Sequence, residues 1–443
     1  MNLKYNFKIA ALACASLMVG FTSCSESDAD KDHGKTPRIE YVRYTDPASE
    51  HITSAFLGET VAFIGSNMGD VQEIWFNDKK ALINPTMITS NSIVVTIPSD
   101  ISSNVTDVVR LVTSTGKEGT CTFQVLVPPP VLSSLDNEWA NPGDVVTLTG
   151  DYLVNDPEVP MEITFPNGVK VDPATMEFSS TTKVTFTVPQ GAPKEGQIVA
   201  TSRYGSGYSN FVYRDTRALL FDWDGTHTTA TGAKSLALAN GWRDGAKLIT
   251  DSFDGIPALD GKYICFNGTK GDYNDMGEDN FSFNHWSRYD GEGHVPGLDP
   301  SSLFDAANFT KYCLKFEAFV PESTPWTICS LNAIFTSADL NNDNAYTWDD
   351  TYPRGMWTPW QSTGSYTTGG KWVTVTMPFT DFTYNRYLES AAKSLTADSF
   401  KGLTFIICWG PASELTSVPV TVAIDNIRIA PLEEEMPEDS ESK

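Results

Sequence analysis

Apolar and polar residues alternate in short runs along most of the chain. Gly58-Glu-Thr-Val-Ala-Phe-Ile-Gly65, Glu73-Ile-Trp-Phe76 and Ser92-Ile-Val-Val-Thr-Ile-Pro98 each read as a strand bounded by Gly, Pro or Asn. Further on, Tyr312–Val320, Trp372–Met377, Leu403–Trp409 and Val418–Ile429 carry the same signature. A period of 3.6 is nearly absent, and only Ser301–Ala307 and Leu388–Leu395 are expected to form short helical turns. The pattern predicts an all-β chain.

Part of the pattern repeats. Gly143-Asp-Val-Val-Thr-Leu-Thr-Gly150, Glu162-Ile-Thr-Phe165 and Thr185-Phe-Thr-Val-Pro189 restate the first copy, with the opening glycines 85 residues apart and the closing prolines 91 apart. Copies of this size, built of short strands and frequent turn residues, predict two immunoglobulin-like sandwiches. They span residues 37–128 and 129–213, with Pro128-Pro129-Pro130 as a stiff joint. The Gly-x-x-Val-x-x-x-Gly hairpin, the phenylalanine-ended third strand and the Val/Ile-Pro exit resemble the IPT/TIG family. That resemblance implies spacer modules, in which Trp75 and Trp139 are core or joint residues.

The remaining alternating segments, residues 217–432, predict a two-sheet β-jelly roll. This region holds nine of the eleven tryptophans. Within it, Tyr346-Thr-Trp348-Asp-Asp-Thr-Tyr352-Pro-Arg354-Gly-Met-Trp357-Thr-Pro-Trp360 interleaves large aromatics with Pro, Gly and charges, which marks a loop rather than a core strand. His285-Trp286-Ser-Arg288-Tyr289 has the same character. Aromatics concentrated on a loop need a cover, either their own minicore or a ligand. A pyranose offers an apolar C–H face and a hydroxyl rim, so flat rings beside Arg, Asp and Asn suit a neutral glycan. Candidate glycan-binding residues are Trp286, Tyr289, Trp348, Tyr352, Arg354, Trp357 and Trp360. Trp223, Trp242, Trp326, Trp372 and Trp409 lie within or beside strand-like alternation and are expected in the core.

Charge narrows the partners. The chain has 443 residues, 31 Lys+Arg against 56 Asp+Glu, and a net charge of −25. Such an excess repels phosphates and argues against nucleic acid. The start of the chain, Met1-Asn-Leu-Lys4-Tyr-Asn-Phe-Lys8, an apolar run to Phe21 and then Thr22-Ser23-Cys24, is a secretory leader rather than a spanning helix. Residues 1–23 are expected to be removed, Cys24 to carry lipid, 24–36 to form an acidic tether and 433–443 an acidic disordered tail. The five later cysteines lack zinc spacing, and a Cys313–Cys329 bridge has no support beyond their proximity in sequence.

Leader, tandem IPT/TIG modules, the opening Leu220-Phe-Asp-Trp-Asp-Gly225, the middle Trp372–Phe382 and the closing Asp425-Asn-Ile-Arg-Ile429 together resemble the Bacteroides surface glycan-binding protein B family. The resemblance implies a C-terminal jelly-roll carbohydrate-binding domain for xyloglucan or a related β-glucan. It also implies an outer-membrane lipoprotein facing the cell exterior. Its implied partners are a TonB-dependent transporter and a companion glycan-binding lipoprotein. No cofactor is expected. A structural calcium held by Asp222, Asp224 or Asp425 is what jelly-roll binding domains in general suggest, whereas Asp339–Asp350 departs from an EF-hand loop, with Asn344 for Gly and Asp350 for Glu.

Two rivals share the fold. Asp349-Asp350 beside Trp348 allows an endo-acting glycoside hydrolase or lyase, although such chemistry requires a carboxylate spacing that sequence does not specify. No GxSxG, HExxH or P-loop pattern occurs, and the five histidines lack metal-ligand spacing. The same aromatic surface would also serve an adhesin for host protein. A non-catalytic glycan binder remains the expectation.

Overall fold

Alternation at period 2 buries one face of each predicted strand, and pairing those faces produces sandwiches. The computed structural model describes residues 27–225, 248–276, 278–286, 300–336 and 350–435. It divides into two compact units, one ending at Val127 and the other beginning at Pro128.

In the first unit, one sheet orders His51–Ile52, Arg38–Tyr44, Thr60–Ser66 and Ser92–Thr96, and another orders Lys79–Lys80, Val71–Phe76, Val108–Thr113 and Glu118–Thr122. Phe63, Phe76 and Phe123 meet between them with ring centroids 5.9 to 6.4 Å apart. Trp75 departs from the expectation of a core residue. It is half-buried on the outer face, with the Arg110 guanidinium 5.5 Å and Lys80 Nζ 5.8 Å from its ring. Its neighbours Ile74 and Phe76 take the inward positions, so alternation turns it out.

The acidic stretch also differs from a solvated tether. Asp28–Asp32 forms one helical turn that docks on this sandwich, where Asp32 is 3% exposed and accepts from Gly69 N at 3.0 Å. Asp28 accepts from Ser90 N at 3.2 Å, and that bond, with Lys31, holds its carboxyl below the usual range. A Cβ on Gly69 would lie 2.3 Å from the Asp28 carbonyl oxygen, so the docking requires glycine.

The second unit contains the second sandwich and the jelly roll. The sandwich pairs Val131–Leu135, Val145–Asp151, Lys183–Thr187 and Glu177–Ser180 in one sheet. Val169–Lys170, Glu162–Phe165, Val199–Ser202 and Gly205–Tyr208 form the other. Phe165, Phe186 and Tyr213 fill its centre.

In the jelly roll, the back sheet orders Ile249–Thr250, Tyr263–Lys270, Val418–Pro431, Tyr312–Phe319 and Val373–Pro378, with Leu219–Phe221 also paired to Val418–Pro431. The front sheet orders Ser282–Trp286, Gly402–Cys408, Ser330–Thr336 and Gly355–Trp357. Phe283 and Phe405 stack at 5.3 Å between the sheets, and Phe316 meets Phe405 edge-on at 5.7 Å. Trp223, Trp326, Trp372 and Trp409 are buried as expected; Trp242 lies outside the described residues.

One local expectation in this domain fails. The segment 388–395 is not helical, because the Asn385 side chain accepts from Tyr387 N at 2.8 Å and Glu389 N at 3.1 Å and diverts the backbone into turns. Cys313 and Cys329 are free: the Cys313 thiol points to Ala430 O at 3.3 Å, and the Cys329 thiol lies 3.7 Å from Tyr273 O. Burial pushes their thiols up, to about 11 for Cys313 and about 12 for Cys329. Cys265 and Cys408 are likewise buried and free, while Cys121 is only half-buried.

Candidate functional site

The front sheet has two faces. Leu331, Ala333, Leu403, Phe405 and Ile407 point into the sandwich core. Their alternates Asn332, Ile334, Thr404, Ile406 and Cys408 form the opposite face. These are buried too, so that face is roofed. Trp409, Met276 and Tyr352 pack on its apolar members. The Asn332 Nδ2 donates to Ser330 O at 3.0 Å and Cys408 O at 2.7 Å.

Cations and aromatics interleave at this roof, from beneath as well as above. The Arg354 guanidinium lies 5.3 Å and that of Arg386 5.8 Å from the Trp409 ring centroid. Arg386 also sits 4.8 Å from the Tyr387 ring and pairs through Nε with Asp350 at 3.0 Å. Lys393 covers Tyr352 at 3.9 Å and donates to its hydroxyl at 2.7 Å. The 383–393 arm, which bears Arg386, Tyr387 and Lys393, is tied to the loop by Arg354 N donating to Tyr384 O at 2.9 Å. Tyr384 and Tyr387 are exposed, at 39% and 45%.

Beside the roof, the edges of the two sheets leave a cleft of about 350 Å³. Met356, Trp357 and Tyr384 provide apolar walls, and Thr376, Asp381 and Thr383 provide hydroxyl and carboxylate oxygens. Gly355 floors it, where a Cβ would lie 2.6 Å from the Phe382 ring. Apolar walls beside polar oxygens are complementary to a sugar's C–H face and hydroxyl rim.

The predicted residues therefore separate. Tyr352 is half-buried beneath Lys393 and belongs to the roof. Trp357 is half-buried, with one side in the cleft and the other in edge contact with Phe316, Trp326 and Tyr366 at 5.3 to 5.8 Å. Arg354 and Trp360 do not present a binding face. Arg354 is 0% exposed beneath the roof, and Trp360, at 9%, packs on the core and donates from Nε1 to Cys329 O at 2.7 Å. The loop folds inward there because its carbonyl and aromatic partners lie inside the domain. For Trp286 the backbone is described and pairs with Gly402. Tyr289, Trp348 and Cys24 lie outside the described residues, as do Asp349 and the 339–349 loop.

Tyr384, Arg386, Tyr387 and Lys393 were not among the predicted residues. Their signal was present in Thr383-Tyr-Asn-Arg-Tyr387, which interleaves aromatic and cation as the 346–360 loop does.

The resemblance-implied calcium ligands are not gathered into a metal set. Among the described residues no three His, Cys, Asp or Glu side chains converge on a common point suited to a metal. Asp222 accepts from Gly225 N at 2.6 Å and Asp224 from Lys262 N at 3.2 Å. Burial, reinforced by the charge of Asp260, pushes the Asp425 carboxyl well above its usual range.

An aromatic surface beside a cleft of apolar walls and polar oxygens, on a terminal jelly roll, fits a carbohydrate-binding class of protein. The family model for the surface glycan-binding protein B xyloglucan binding domain matches residues 213–431. A surface glycan-binding protein B from Prevotella bryantii, known from its crystal structure, is 30% identical with a TM-score of 0.74, covering 90% of this chain and 99% of that one. A surface glycan-binding protein B from a complex xyloglucan utilization locus in Bacteroides uniformis is 16% identical over 89% of this chain and 99% of its own, with a TM-score of 0.45. An IPT/TIG domain-containing protein of Bacteroides ovatus is 24% identical over 220 residues, 46% of this chain but only 44% of that relative's length. The chain belongs to the surface glycan-binding protein B family.

Proposed function

We propose that the protein binds a neutral plant polysaccharide without cleaving it. The favoured ligand is a β-glucan hemicellulose, with xyloglucan first. The observation that carries this reading is the match of a xyloglucan-binding domain to residues 213–431, the region that bears the aromatic–cation roof and its cleft. Stacking falls to Trp286, Tyr289 and Trp348, together with Trp357, Tyr384 and Tyr387, while Tyr352 supports the roof beneath Lys393. Arg354 and Trp360 hold the loop from beneath. Rigid aromatic rings lose little rotamer entropy on contact, and weak contacts repeated along a polymer add avidity.

In this reading Cys24 carries lipid at the outer membrane, the chain faces the exterior, and captured glycan passes to a TonB-dependent transporter beside a companion glycan-binding lipoprotein. Domain limits of 37–128, 129–213 and 217–432 belong to the same proposal. Affinity gels containing a panel of soluble polysaccharides, followed by reducing-end analysis, test it. Retardation by xyloglucan without new reducing ends is the expected result. Released oligosaccharides would establish a hydrolase or lyase instead, and indifference to every glycan would leave the adhesin.

A further inference from the structure

We propose that the second immunoglobulin-like sandwich is a structural part of the jelly-roll domain rather than a detachable spacer, with Glu138 completing a charge cluster built into the jelly roll's central strands. Lys315 and Arg428 face each other on adjacent back-sheet strands, and Glu317 stands on the same strand as Lys315. All three are buried, Glu317 and Arg428 fully. Taken alone with Glu317 ionised, they carry one unbalanced positive charge. Arg428 satisfies Glu317 through Nη1 at 2.8 Å and Nη2 at 3.0 Å.

The balancing carboxylate arrives from the other sandwich. Glu138, 3% exposed, accepts from Lys315 Nζ at 2.6 Å and Arg428 Nη2 at 2.8 Å. The Thr374 hydroxyl joins both acids, accepting from Glu138 N at 2.7 Å and donating to Glu317 at 3.0 Å. A buried charge that loses its partner cannot recover water's solvation, so the jelly roll depends on a residue outside its own sequence.

The rest of the segment 136–141 repeats the theme. Thr374 N donates to Asp136 O at 2.8 Å, and Lys371 pairs with the Asp136 carboxylate at 2.6 Å. Trp139, 1% exposed, inserts among Leu219, Leu259, Tyr263, Phe319 and Trp372, and Asn141 donates to Leu259 O. A polar network and an apolar plug thus enter the jelly roll from one loop. The family match beginning at residue 213 excludes that loop.

Hydrogen exchange on the full chain tests the proposal without any glycan, so its failure is distinct from failure of the binding reading. Glu138→Gln keeps the side chain's shape and removes its charge. Exchange should rise at least tenfold in peptides from Tyr312–Phe319 and Val418–Pro431, in the neighbouring domain. A rise confined to residues 131–151 would overturn the proposal. Calorimetry of the wild-type chain decides independently, even if the variant does not fold. The second sandwich and jelly roll should melt in one transition, and separate transitions would overturn the dependence. In a cycle with Lys315→Met, the double variant should be no less stable than the worse single variant, whereas additive losses would refute the coupling.

Discussion

The two sandwiches use the loop after their first strand in opposite ways. In the first, Thr45-Asp-Pro-Ala-Ser-Glu50 follows Arg38–Tyr44 and is almost wholly solvent-exposed. In the second, Asp136-Asn-Glu-Trp-Ala-Asn141 follows Val131–Leu135, and its central residues Asn137 to Ala140 are all buried. The scaffold around them is shared, down to the hairpin glycines Gly58 and Gly143, which both take positive φ. A repeat therefore conserves its strands while its loops take on separate duties. One copy ends that loop in water, and the other makes it part of a neighbour's core.

The largest effect should come from Trp139→Ala. Removing a buried tryptophan plug costs about 3–5 kcal/mol, and calorimetry should register it in the transition of the second unit. Pro47→Ala in the equivalent exposed loop should change stability by less than about 0.5 kcal/mol. Equal effects at the two positions would break the comparison.

The same contrast operates inside the jelly roll. Trp360→Ala should lose on the order of 3 kcal/mol of stability by chemical denaturation, since it removes core packing and strands the Cys329 carbonyl. Tyr387→Ala, at an exposed ring, should leave the denaturation midpoint nearly unchanged and weaken retention in a xyloglucan gel. Retention that follows Trp360 while ignoring Tyr387 would reverse the assignment of support and binding surface.

A smaller effect sharpens the role of the buried cluster. Burial raises the Glu317 carboxyl to about 7 despite Arg428, while Glu138 raises it further and Lys315 completes the cluster. A folded pKa above the ordinary carboxylate value means that this group's contribution is fully present below pH ~4.5 and is lost as pH rises through about 7. Glu317→Gln, which mimics the protonated form, should therefore gain on wild type between pH 5 and pH 8. Melting curves at the two pH values should show a gap that widens by a few degrees.

Much of the fold was legible. The Tyr312–Val320 and Val418–Ile429 runs became central strands because period-2 alternation is a local property of the backbone. Trp223, Trp326 and Trp409 were readable as buried for the same reason. The candidate site was less legible. Composition marked 346–360 as an aromatic loop, yet it did not distinguish Trp360, whose indole reaches Cys329 O, from Trp357, which borders the cleft. Nor did it reveal that Tyr384 arrives beside Arg354 and Arg386 beside Trp409, because those meetings depend on how the 383–393 arm folds back.

By itself the sequence determined an all-β chain, a repeated sandwich and a terminal domain rich in tryptophan. Those features follow from the spacing of apolar residues and from turn chemistry, both local. Only the tertiary structure decided which aromatics are roof, wall or core. It alone decided that Glu138, one acid among 56, is buried against Arg428, 290 residues away. Burial and ion pairing depend on what a distant segment places alongside a residue, and the residue's own neighbours carry no trace of that.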